Sequence, residues 1–195
     1  IQAEKDLKVE SLKKGRARTL TYCGDKVGRC LLGKKNSPTE GLPVVVVDEE
    51  IYRLLPTLLI ATVDKFAQMP WKGQVQMLFG KVNRFCQRHG FLSPEMEHTE
   101  ESHRKTNELP EANVSKHHNL RPPDLIIQDE LHLISGPLGS MVGLYESIID
   151  RLASWEVKGK MVRPKIVLST ATIRRASEQV RRIFCHQVQV FPPHG

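Results

Sequence analysis

The sequence has no long apolar stretch and no leader pattern at its start. No apolar run approaches the roughly 18–20 residues that a membrane-spanning helix needs, and Ile1 to Glu10 lack the apolar core of a signal peptide. We therefore expect a cytoplasmic protein without a membrane partner. Because the chain begins with Ile1 and ends on Phe191-Pro-Pro-His-Gly195, we interpret it as a piece of a longer protein.

Cysteine is scarce, with four in the chain. In the absence of a secretory signal we expect a reducing compartment, which favours free thiols or a metal site over disulfides. Cys23 and Cys30 are a candidate half of a four-cysteine zinc site, and Cys86 and His89 have the spacing of zinc ligands. The alternative for both pairs is ordinary thiols and a surface histidine. Further histidines follow the second pair at positions 98, 103, 117 and 118.

Acidic residues are few at the start of the chain. The net charge is +7 with a pI of 9.3, and residues 1–35 hold ten Lys and Arg against four acids. This excess favours a polyanionic partner, although a solvated surface segment would look the same. We treat residues 1–41 as a basic N-terminal insertion.

The rest of the chain, residues 42–195, alternates short apolar runs with helical patterns. The apolar runs are 43–47, 58–62, 125–127 and 165–169, and helices are predicted over 49–55, 64–69, 74–88, 138–155 and 174–184. Continuous apolar strands between helices predict an α/β fold with a parallel sheet covered on both faces. Residues 92–123 interrupt the pattern as a polar loop.

Two adjacent acids follow the third apolar run. Asp129 and Glu130 lie at the predicted carboxyl end of a strand, where α/β sheets bind ligands. A nucleoside triphosphatase needs such a pair, because one carboxylate holds Mg²⁺, here through water, and the second activates the attacking water. Asp129 fits the first role and Glu130 the second. The alternative is a surface turn with two solvated acids.

Small hydroxyl residues follow the fourth apolar run, as Thr170-Ala171-Thr172. Their hydroxyls could hydrogen-bond His132 and so couple a nucleotide site to a nucleic-acid surface, although Thr172 could equally cap a helix. Upstream, Thr62 and Lys65 stand between a predicted strand and a predicted helix, where they could contact a phosphate backbone.

In this order the strings resemble the motifs of superfamily 2 helicases. Asp129-Glu130-Leu131-His132 resembles the DExH box, motif II, and Thr170-Ala171-Thr172 resembles motif III. Thr62-Val63-Asp64-Lys65 resembles motif Ib. Longer strings, such as residues 123–139, resemble the large helicase subunit of the bacterial DISARM anti-phage system. Gln128 departs from the pattern, because most such motifs have an apolar residue there.

The resemblance implies part of a RecA-like first motor domain and an ATP-dependent helicase, with Asp129, Glu130 and His132 as catalytic residues. It implies ATP and Mg²⁺ as cofactors, with zinc as a further candidate. The implied partners are nucleic acid, most plainly DNA, and other subunits of a defence complex. The phosphate-binding pattern G-x-x-x-x-G-K-S/T is absent, so we expect this piece alone to be inactive. Two alternatives stay open: a non-catalytic zinc- or nucleic-acid-binding module, and a P-loop ATPase that acts on protein.

Overall fold

A computed structural model describes residues 3–12, 16–62, 65, 71–96, 100–106, 110–129 and 137–169, and the single positions 180, 189 and 191. Its first half contains helix α1 (Ala3–Asp6), strands β1 (Leu7–Leu12) and β2 (Arg16–Thr21), helix α2 (Asp48–Leu54) and a 3-10 helix (Gly73–Phe79). The middle contains strands β3 (Arg84–Cys86), β4 (Gly90–Leu92), β5 (Ser102–His103) and β6 (Ala112–Lys116). Strand β7 (Leu125–Gln128), helix α3 (Pro137–Leu152) and strands β8 (Trp155–Val157), β9 (Lys160–Val162) and β10 (Lys165–Leu168) follow.

The strands form small sheets. The largest has the order β4-β3-β6-β5 and is antiparallel, and β1–β2 and β8–β9 are antiparallel pairs. Only β7 and β10 pair in parallel within the described ranges. The expected RecA-like parallel sheet with helices on both faces is therefore wrong. The described chain is mostly small antiparallel sheets, with three α-helices.

Two of the four apolar runs explain this error. Residues 43–47 and 58–62 form no strand, and Val46 and Ile60 are 57% and 86% exposed. A buried parallel strand needs hydrogen-bonded neighbours and a cover on both faces. Within the described part of the chain neither run pairs with a strand, so its apolar composition alone does not make it part of a sheet.

The helix predicted over residues 74–88 is also much shorter than expected. It ends as a 3-10 helix before Gly80, which has a φ of 78°. A Cβ at Gly80 would lie 2.2 Å from the carbonyl oxygen of Leu120, so only glycine fits this approach. The chain then extends into β3. The predicted polar loop at 92–123 contributes β5 and β6 to the same sheet.

One hydrophobic core joins α2, the 3-10 helix and α3 to β7. Its buried members are Tyr52 of α2, Val75 and Phe79 of the 3-10 helix, and Ile149 and Ala153 at the end of α3, with Ile126 of β7 packed against them. The N-terminal hairpin has buried residues of its own, Leu20 and Tyr22, and the Tyr22 hydroxyl donates to the Pro38 carbonyl at 2.7 Å. No helix in the described ranges is long and apolar enough to cross a membrane.

Candidate functional site

The parallel pair of β7 and β10 brings Asp129, the first residue of the acidic string, and Ser169, the residue before the Thr-Ala-Thr string, to one edge. Gln128 and Leu168 are register partners, and the Ser169 N–H donates to the Gln128 carbonyl at 2.9 Å. Asp129 and Ser169 therefore follow neighbouring strands at the same end. Asp129 is exposed. The predicted residues Glu130, His132, Thr170, Ala171 and Thr172 lie outside the described residues.

Gln128 has a specific partner on helix α3. Its side-chain amide donates to a carboxylate oxygen of Glu146 at 2.9 Å, and Glu146 is buried. Burial raises the pKa of the Glu146 carboxyl, the hydrogen bond from Gln128 acts against that rise, and the nearby Asp150 carboxylate adds to it. The polar residue that departs from the helicase pattern thus joins the end of β7 to α3.

Glu146 was not predicted as a site residue, although its spacing in the sequence gives a signal. Glu146 precedes Ile149 by three residues and Ala153 by seven, a spacing that puts all three on one helical face. Ile149 and Ala153 are buried. An acid on a buried face requires a hydrogen-bond donor, and the amide of Gln128 supplies it.

Lys65 forms an ion pair at the beginning of α2. Its ammonium nitrogen lies 2.6 Å from an Asp48 carboxylate oxygen, and the Lys72 ammonium lies 3.3 Å from the same oxygen. The hydrogen bond from Lys65 lowers the pKa of Asp48, and the same bond raises the pKa of Lys65. The exposed Thr62 is one turn away, where its carbonyl accepts the Lys65 N–H at 3.0 Å. A phosphate that binds the Lys65 ammonium would therefore also lie close to the Asp48 carboxylate, which competes with it for the same ammonium.

Cys86 and His89 are brought together with a third residue, His103. Their candidate ligand atoms all lie within 4.8 Å of one another. The Cys86 Sγ atom is 3.5 Å from His89 Nδ1, and the rings of His89 and His103 meet edge to face at 4.6 Å. The sequence placed His103 only among the histidines that follow the pair, because strand pairing, not local spacing, brings it near.

Cys23 and Cys30 also come together, in a turn organised by Asp25. The Asp25 carboxylate accepts backbone N–H groups from Val27, Arg29 and Cys30 at 2.8–2.9 Å, and these bonds lower its pKa. A hydrogen bond with Cys30 raises the pKa of the Cys23 thiol. Among the described residues no third ligand-type side chain joins these two thiols, so here they form half of a four-ligand site at most.

Comparison with known proteins bears out one part of the resemblance. No protein-family profile matches the chain. Its sequence is nevertheless related to that of a DISARM protein. The relative is the DISARM protein DrmA of Bacillus paralicheniformis, with 49% identity over 155 residues. That alignment covers 79% of this chain but 13% of the relative. The DISARM relation is thus confirmed, whereas the match does not test a helicase core.

Proposed function

We propose that this chain is part of an ATP-dependent helicase or translocase that remodels nucleic acid, with DNA as the substrate, in a DISARM-type defence against phage. The observation that carries the proposal is the parallel pairing of β7 and β10, which sets Asp129 beside Ser169. The acidic and the Thr-Ala-Thr strings continue from these two positions. The relation to DrmA supports the defence context and the participation of further subunits.

The chemistry proposed for this edge is hydrolysis of the γ-phosphate of ATP. Asp129, exposed at the end of a strand, is suited to hold Mg²⁺ through water. The ion, when bound, neutralises charge on the phosphates. Glu130 would orient the attacking water and accept its proton. Because the complete pattern G-x-x-x-x-G-K-S/T does not occur in the chain, another part of the full-length protein would have to hold the triphosphate.

The direct experiment measures ATP hydrolysis by the full-length protein with and without nucleic acid. We expect single-stranded or duplex DNA to raise the rate above the rate of the protein alone. Parallel reactions with RNA would establish the preferred polymer. A rate that stays at background with every polymer would contradict a nucleic-acid motor, and a rate raised only by a protein substrate would favour an ATPase that acts on protein.

Lys65 and Thr62 are the proposed nucleic-acid contacts within the described chain. Replacing Lys65 with alanine in the full-length protein should weaken DNA binding about equally for all sequences, because an ammonium contacts phosphate and reads no bases. It should also reduce the slope of log affinity against log salt by about 1, the value for one lost phosphate contact. Binding isotherms at several salt concentrations measure both effects.

Lys160 provides the matched control, because it is an exposed lysine on β9 and is not one of the two lysines that pair with Asp48. Lys160→Ala should leave the salt slope unchanged. Asp48→Asn should act in the opposite direction to Lys65→Ala, since it removes the carboxylate that competes with phosphate for the Lys65 ammonium. Equal slopes for wild type and Lys65→Ala would exclude Lys65 as a phosphate contact.

A further inference from the structure

We propose that Cys86, His89 and His103 bind one zinc ion, which fastens the four-stranded sheet across its strands. The site is separate from the β7–β10 edge and does not depend on ATP hydrolysis. Three protein ligands from this cluster and one water would complete a four-coordinate zinc. The three ligands come from the β3–β4 hairpin and from β5, at opposite sides of β6.

The register of the sheet places the ligands on one face. Cys86 on β3 pairs with Val114 of β6, and His103 on β5 pairs with Ala112 of the same strand. Side chains two residues apart on a strand share a face, and paired residues share it with them. Cys86 and His103 therefore project from the same side, with β6 between them. The small side chain of Ala112 leaves room for their approach.

The third ligand is held by the hairpin turn. His89 lies in the turn after Cys86, directly before Gly90, which pairs with Cys86. Gly90 has a φ of 83°, and a Cβ there would lie 2.5 Å from the Arg53 carbonyl oxygen at the end of α2. Glycine thus lets the turn pack against α2. This packing limits the positions that His89 can take relative to Cys86.

The distance between Cys86 and His89 is compatible with a tetrahedral zinc site. Zinc–sulfur and zinc–nitrogen bonds of about 2.3 and 2.0–2.1 Å at a tetrahedral angle separate sulfur and nitrogen by roughly 3.6 Å. The Cys86 Sγ to His89 Nδ1 distance is 3.5 Å. A thiol–imidazole hydrogen bond would have a similar length, so this distance does not distinguish the two by itself. His103 brings a third ligand atom within 4.8 Å of the other two, and this favours a metal site over a simple thiol–imidazole hydrogen bond.

A carboxylate orients His103 in the way that metal-bound histidines are usually oriented. His103 Nδ1 lies 2.6 Å from a Glu100 carboxylate oxygen, so Nδ1–H donates and the lone pair lies on Nε2. Such a carboxylate fixes the tautomer and raises the basicity of the ligating nitrogen. Cys86 and His103 are shielded from solvent, at 0% and 6% exposed, whereas the half-buried His89 leaves one side on which a water could complete the coordination. One thiolate and two imidazoles are ligands that suit zinc.

The experiment measures the zinc content of the full-length protein after purification without chelators. We expect Cys86→Ser and His103→Ala to hold about one zinc equivalent less than wild type. His118→Ala removes an exposed histidine outside the cluster, and the Cys86 and His103 variants should lose zinc relative to this control. Zinc content in Cys86→Ser equal to that of wild type would overturn the proposal.

A second variant decides the matter if Cys86→Ser does not fold. The Glu100 side chain is 68% exposed, so Glu100→Ala should fold normally. Loss of this orienting carboxylate should weaken zinc binding by about 10–100-fold, measured by competition with a chromophoric chelator. Glu101→Ala, the adjacent exposed acid, should retain wild-type affinity. Equal zinc affinity in Glu100→Ala and Glu101→Ala would overturn the assignment of His103 as a ligand.

Discussion

ATP turnover by the full-length protein should fall by about 10²–10⁴-fold when Glu130 is replaced with glutamine, the range expected for loss of a general base. The amide keeps the shape of the side chain but cannot accept the proton of the attacking water. ATP and nucleic-acid binding should therefore be retained. Single-turnover hydrolysis and equilibrium binding, measured on the same preparation, separate the lost chemical step from lost binding.

A matched control is available on strand β8. Glu156 is an exposed acid on β8, a strand that pairs with β9 and not with β7 or β10 in the described ranges, and Glu156→Gln should leave turnover unchanged. Asp129→Asn provides a contrast, because an acid that holds Mg²⁺ contributes to both nucleotide binding and hydrolysis. Near wild-type hydrolysis in Glu130→Gln would refute the role assigned to Glu130, and the acidic string would then be an ordinary surface turn.

The sequence predicted the elements around this edge because their patterns are strong. The apolar runs at 125–127 and 165–169 correspond to β7 and β10, and the amphipathic pattern at 138–155 corresponds to α3. The runs at 43–47 and 58–62 had the same apolar character but form no strands. Periodicity reports which residues suit a strand. It does not report whether a neighbouring strand is available to accept its hydrogen bonds.

The candidate sites show the same division between local and long-range information. The spacing of Cys86 and His89 was visible because one hairpin turn brings them together. His103 joins them only through two antiparallel pairings on β6, and no local spacing encodes that register. Lys65 likewise was recognisable as a cation near a predicted helix start. Its partner Asp48 lies seventeen residues earlier, and tertiary packing brings the two together.

Changes to the residues proposed to couple the two motifs should depress strand separation much more than ATP hydrolysis. We expect His132→Ala, and separately the double change of Thr170 and Thr172 to alanine, to leave ATP hydrolysis within a few-fold of wild type. Unwinding should fall by about 5–150-fold, the usual range of coupling between two sites. Each hydroxyl–imidazole bond contributes only about 0.5–1.5 kcal/mol, which is small beside a hydrolysis barrier but sufficient to shift a two-state equilibrium.

The geometric ground for this prediction is the hydrogen bond from Ser169 to Gln128 at 2.9 Å. It keeps the residues just before the two strings on adjacent strands. Thr57→Ala and His118→Ala, both at exposed positions, are the matched controls and should change neither activity. ATPase rate, unwinding rate and melting temperature are measured for every variant. A threonine or histidine with a purely structural role would lower all three together, and such a parallel loss would leave the proposed coupling without support.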